Sequence, residues 1–193
     1  MPSISLPHRL FAATAAAGLL TGALACGDDI QLPDATFVNA VDTVVLAALS
    51  GTAIADPSGF DVVLGTAVRT DRTNAFDFAF DLDAAGTPRI YPAGALGLAA
   101  EGGILRSDET FAGITSAPLD GYVADSALAV AAGTVFVVRS RNSNAQCTLG
   151  SALPRYGKFH VLAVDTAART ITLELLVDLN CGYRGLEPGT PED

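Results

Sequence analysis

Between residues 133 and 185 the residue pattern leaves little choice of structure. Ile171, Leu173, Leu175, Val177 and Leu179 alternate with Thr170, Thr172, Glu174, Leu176 and Asp178, the period-two signature of a strand with one face buried. Ahead of it, Phe159, Val161 and Ala163 alternate with Lys158, His160 and Leu162, and residues 134–140 form a β-branched run. Residues 165–169 read as a short hairpin connection. Three strands in succession predict an antiparallel meander, with the first and third parallel to each other and the second reversed between them.

The preceding chain reads the same way. TVVLAAL at residues 43–49 is a buried-type strand, and residues 60–70 form a second one interrupted by Gly65, where a bulge is expected. Asp56-Pro57-Ser58-Gly59 between them is a turn, since proline presets φ and glycine permits positive values. Phe76, Phe78, Phe80 and Leu82 alternate with Asp77, Ala79, Asp81 and Asp83, an amphipathic strand whose aspartates are expected on a solvated outer face. Residues 83–86 turn the chain into a short strand near residues 89–91. Residues 92–103 are rich in alanine and glycine and irregular, and short extended pieces follow around residues 104–106 and Phe111. Residues 127–130 and 134–140 are expected to pair across Ala131-Ala132-Gly133. Short strands with glycine turns and no long helical period predict an all-β domain, an antiparallel sandwich or barrel-like fold over residues 37–193 ending in the three-strand meander.

The N-terminus carries an address. Residues 1–9 are polar with Arg9 and His8, residues 10–25 are free of charge, and small residues precede Cys26. That is a cleaved secretory signal, too short for a membrane span of about 20 apolar residues. Gly22-Ala23-Leu24-Ala25-Cys26 resembles the lipobox of bacterial lipoproteins, with Ala23 where leucine is commonest. The resemblance implies a signal peptide at residues 1–25, lipid on the Cys26 sulfur, and a tether over residues 26–36. Anchoring to the bacterial envelope follows, at the outer membrane, because several acyl chains on one residue hold where one does not.

Removing residues 1–25 takes away Arg9 and no acid, leaving ten basic against 21 acidic residues, a net of −11. Such a chain is a poor partner for nucleic acid or for a flat anionic bilayer. With Cys26 committed to lipid, Cys147 and Cys181 form an even pair in an exported chain and read as a disulfide. Both follow strand ends on one rim of the meander. The outer strands of a meander stand about 9.6 Å apart, two strand spacings, whereas bonded cysteines need Cα atoms about 4.4–6.8 Å apart. The loop of residues 142–155 must therefore fold over the end of the middle strand. Arg139, Arg141, Arg155, Tyr156, Lys158, Tyr183 and Arg184 then gather on that rim, five of the ten basic residues beside two tyrosines. This rim is the candidate binding site, for an anionic ligand or an envelope protein.

The catalytic inventory is thin. His160 is the single histidine beyond the signal, no G-x-S-x-G elbow precedes it, and an enzyme, a hydrolase, would have to use it or a carboxylate pair. Asp81-Leu82-Asp83-Ala84-Ala85-Gly86 opens like a calcium loop, but Ala85 and Pro92 stand where ligands belong. The glycines at 94, 97, 102 and 103 match neither a Rossmann nor a P-loop pattern. No metal or cofactor is expected.

Val135-Phe136-Val137-Val138-Arg139-Ser140, then residues 155–162 (RYGKFHVL), then Thr170-Ile171-Thr172-Leu173 resemble the C-terminal part of HmuY-like haem-binding lipoproteins. The resemblance covers about 45 of roughly 168 mature residues and implies an all-β, surface-tethered binding domain. Haem itself does not carry over: that family uses paired histidine or methionine ligands, and here His160 stands alone with no methionine after the signal, leaving Tyr156 or Tyr183 as ligands for iron. The expected function is a non-enzymatic envelope lipoprotein binding a ligand or partner. The alternatives are a structural envelope protein without a ligand, a haem-binding lipoprotein and a hydrolase.

Overall fold

The computed structural model describes residues 32–145, 147 and 152–192. The expected signal segment and Cys26 lie outside them. The chain divides into Met1–Gln31 and Leu32–Asp193, and the fold below is that of the second unit.

Ten strands form two five-stranded antiparallel sheets. The first sheet has the order β1-β10-β9-β8-β6, built from β1 (Val41–Ala47), β6 (Gly103–Ser107), β8 (Val135–Arg139), β9 (Tyr156–Asp165) and β10 (Thr170–Asp178). The second has the order β3-β2-β4-β5-β7, built from β2 (Gly59–Asp61), β3 (Thr66–Val68), β4 (Phe78–Leu82), β5 (Pro88–Pro92) and β7 (Leu128–Ala129). This is a sandwich, not a closed barrel, and β8-β9-β10 is the expected meander.

The inner faces meet in one core that includes Leu46, Ile90, Val161, Ile171 and Leu173. At its centre Phe60, Phe78, Phe136 and Phe159 touch ring to ring at 5.0–5.9 Å, edge-on or stacked as ring quadrupoles prefer. A second cluster lies on the outside of the first sheet. There Val135, Val137, Tyr156 and Leu176 are covered by Ile114, Ala117 and Leu186, from the segment before β7 and the C-terminal segment. Leu176, on the polar face of its alternating run, is buried for this reason.

Four expectations are corrected. Gly65 is no bulge: φ is +64° and it closes the turn between β2 and β3, which pair as a hairpin, a left-handed position that suits glycine. Residues 127–130 do not pair with 134–140. Instead β7 pairs with β5, β8 pairs with β6 and β9, and the turn at residues 131–134 carries the chain between sheets. In β9 the alternation breaks, because Thr172 faces Ala163 while Leu173 faces Val161. Leu162 is the extra residue of a bulge, so Ala163 turns outward and Val164 packs on the core. The aspartate row is not a solvated face. Asp77 is 4% exposed, and the three carboxylates each meet an arginine: Asp77 with Arg141, Asp81 with Arg169, Asp83 with Arg89.

Residues 33–37, placed largely in the tether by sequence, are held to the domain. Asn180 Oδ1 accepts the N–H groups of Thr36 and Phe37, and the Tyr183 hydroxyl donates to Pro33 O.

Candidate functional site

Cys147 and Cys181 are bonded, with Cα atoms 5.6 Å apart, so the loop between β8 and β9 does fold over the end of the middle strand. The seven residues expected on this rim fall into three different surroundings.

Beneath the disulfide, Arg155 is fully buried. Its Nε donates to Leu179 O at 2.8 Å, its Nη2 donates to Ala145 O and to Cys181 Sγ, and burial pulls its guanidinium below the ordinary value. Beside it Arg141 spans the two sheets. Its Nη2 meets both Asp61 oxygens at 2.9 and 3.0 Å, while its Nη1 and backbone N–H donate to Asp77 at 3.1 and 2.8 Å. Burial works to lower Arg141, but the contacts with Asp61 and Asp77 outweigh it and hold the guanidinium above its usual value. Burial pushes the Asp77 carboxyl up, against the pull of Arg141 and the Val62 N–H. Arg141 pins the sheets together, and Arg155 ties the chain after β8 to the chain after β10. The partly exposed side of Arg141 borders a small cavity of about 120 Å³ that Glu101 and Asn74 also line.

Lys158 and Tyr183 are likewise buried. The Lys158 ammonium donates to Phe111 O and Ile114 O at 2.8 and 2.9 Å and sits 4.6 Å from the Phe111 ring centre. It fastens the segment before β7 onto the outer face of the first sheet.

Arg139, Tyr156 and Arg184 remain, and the fold does bring these together. Arg139 ends β8 with Val135 and Val137 on its outer face, in register with Tyr156 at the start of β9. Its guanidinium carbon lies 5.1 Å from the centre of the Tyr122 ring, and that ring is 6.2 Å from the ring of Tyr156. Arg184 Nη2 meets Ser116 Oγ at 3.2 Å, while its Nε is buried without a partner among the described residues. Both guanidiniums act on both phenols, lowering their titration, while burial, the larger influence, raises both. Among the described residues neither Arg139 nor Arg184 is in ion-pair contact with a carboxylate, in a chain of net charge −10. Chemically this is two fork-shaped donors beside two amphipathic rings, a set suited to a carboxylate or phosphate group.

Sequence reasoning missed Tyr122, which sits in a stretch without period, and missed Asp61 and Asp77 as counter-ions. Strand parity gives a partial signal for the first sheet, since it puts Arg139, Tyr156 and Lys158 on one face. His160 lies mid-strand with Nδ1 3.1 Å from Glu174 Oε2 on the neighbouring strand, near the Phe111 ring. Among the described residues no three His, Cys, Asp or Glu side chains converge as a metal site.

Fold and covalent frame together define a disulfide-bridged, all-β sandwich. No protein-family model and no curated protein matches this chain.

Proposed function

We propose that this chain is an exported, lipid-anchored, non-enzymatic binding protein of the bacterial envelope. It would take an anionic group of a ligand or partner protein at Arg139 and Arg184, beside the half-buried ring of Tyr122, with the buried Tyr156 ring beneath. The observation that carries this reading is that Arg139 and Arg184 stand together with no carboxylate in ion-pair contact among the described residues, in so acidic a chain. Elsewhere an anion meets net negative charge, so attraction is local and weakens as salt rises above about 0.15 M. The anchor rests on the lipobox-like stretch ending at Cys26.

Native mass spectrometry of protein purified from its own envelope tests the binding. The parent should retain a ligand or partner that Arg139→Gln with Arg184→Gln releases; retention by the double variant would refute this site. Labelled palmitate should appear on Cys26, and an unmodified Cys26 would remove the anchor.

A second reading, a structural envelope protein without a small ligand, is favoured by how many cations are spent inside the fold. Arg69, Arg89, Arg141 and Arg169 are paired with aspartates, and Arg155 and Lys158 are buried. A purified protein that carries only envelope components and no small molecule would select it.

A further inference from the structure

Arg155 does something at the disulfide that a structural bridge does not require. Its guanidinium is fully buried, donates through Nη2 to Cys181 Sγ at 3.2 Å, and leaves Nη1 buried without a partner among the described residues. Among the described residues no cation touches the other sulfur; each sulfur faces a carbonyl oxygen, Cys181 Sγ that of Ala145 at 3.8 Å and Cys147 a nearer one. Cys147 Sγ lies 3.2 Å from the Ser143 carbonyl oxygen, which repels a negative sulfur but accepts from a thiol. Exposure is unequal too: Cys181 is buried at 8%, whereas Cys147 is half-buried.

We propose that Cys147–Cys181 is a polarised, exchange-competent disulfide, in which Cys147 is the sulfur that takes up an incoming thiol and Cys181 is the leaving sulfur. The incoming thiol, a small molecule of the glutathione kind, loses its proton to water, and its thiolate attacks Cys147 Sγ. A new S–S bond forms there, the Cys147–Cys181 bond breaks, and the electron pair stays on Cys181 Sγ as a thiolate facing the Arg155 guanidinium. The mixed disulfide holds one sulfur from each molecule. A second thiolate attacking the sulfur of the bound thiol releases an oxidised dimer of the small thiol and expels Cys147 as a thiolate, which takes a proton from water and is then placed to donate its S–H to Ser143 O.

The charges around the leaving sulfur are mixed. Arg155 itself feels Asp61, Asp77 and Asp178 as attraction and Arg141 as repulsion, and Asp34 lines the hollow beside Cys181 with Asn180 and Tyr183. Arg155 is the one in contact with the sulfur, and a neighbouring cation makes cysteine a better leaving group by lowering its pKa. With a Brønsted slope of about one half, each unit by which Cys181 lies below Cys147 speeds its departure by roughly threefold.

The test uses the disulfide-bonded protein with Cys26 blocked, by its lipid or by prior alkylation. It is exposed to reduced glutathione at pH 7, quenched in acid, blocked in denaturant and mapped by peptide mass. Glutathione should sit on Cys147 with Cys181 free, by at least about threefold. Equal labelling, labelling mainly of Cys181, or no adduct with glutathione in excess would each overturn the proposal. In urea the preference should vanish. Alkylation rate against pH on the reduced protein should show Cys181 titrating below Cys147; two cysteines that titrate together would contradict it. Arg155→Met should abolish the preference, and if that variant does not fold, the parent's labelling pattern and pH profile decide the matter.

Discussion

At 2% exposure, Lys158 is a cation used as a fastener. It holds Phe111 O and Ile114 O against the outer face of β9. Lys158→Met keeps the stem but leaves two carbonyls without their donor, at a cost of about 2–3 kcal/mol. Denaturant titration should show the loss, and amide exchange at residues 113–114 should quicken; unchanged exchange there would mean that the segment is held by its apolar contacts alone. Burial pulls the ammonium below its usual value, while Glu187 and Glu174 oppose it. The folded chain therefore releases this proton at lower pH than the unfolded chain, whose value is about 10.4. Within the interval just below about 10.4, the unfolded state binds more protons, so stability contributed by Lys158 rises with pH. The parent's advantage over Lys158→Met should grow there, and a flat difference would contradict this. Asp77 offers a contrasting case. Asp77→Ala removes the acceptor of the Val62 N–H, the Arg141 N–H and Arg141 Nη1, with Asp61 still pairing Arg141, and should cost about 2–3 kcal/mol. Asp77→Asn keeps an acceptor and should cost less than half of that; equal losses in urea unfolding would show that charge, not hydrogen bonding, matters there. None of this was legible in the sequence. An arginine or lysine near a strand end reads as rim charge, and only the course of distant segments decides whether carbonyls or carboxylates converge on it.

Among elements, the alternation of β8, β9 and β10 was legible because one face of each packs against the second sheet. What escaped was set by single residues that change parity or sheet. Leu162 adds one residue to β9 and reverses every side chain after it, and the pairing of β7 with β5 depends on contacts about 40 residues apart in sequence. β1 shows a different device. It is an edge strand with Val41 and Val45 half-exposed, and the N–H of Ala47 turns away from β10 to reach Pro57 O. Asp42 Oδ1 accepts the Thr43 N–H at 2.7 Å. A charge on an edge strand, occupying a main-chain donor, discourages pairing with another chain. Asp42→Val should therefore promote concentration-dependent association in sedimentation velocity; a variant that sediments like the parent at all concentrations would show that the edge is protected by something else.

For the whole molecule, the disulfide ties the ends of β8 and β10 across β9 with 34 residues of separation. Closing such a loop stabilises by roughly 3–4 kcal/mol on the chain-entropy model. Cys147→Ser with Cys181→Ser should lower the melting temperature by roughly 10 °C for a domain of this size; a shift under about 2 °C would mean that the sandwich holds this rim unaided. The sequence pointed to the rim because its basic residues cluster there, but the fold divides that cluster between interior and surface. Arg141, Arg155 and Lys158 hold the structure, and Arg139 and Arg184 have no carboxylate in ion-pair contact among the described residues. The most direct measurement of that division is a nuclear magnetic resonance titration of the arginine Nε–H signals with citrate at low salt. The account predicts saturable shifts at Arg139 and Arg184, abolished by about 0.5 M sodium chloride, with Arg89, Arg141, Arg155 and Arg169 unmoved. Shifts spread evenly over all arginines, or largest at Arg141, would contradict it.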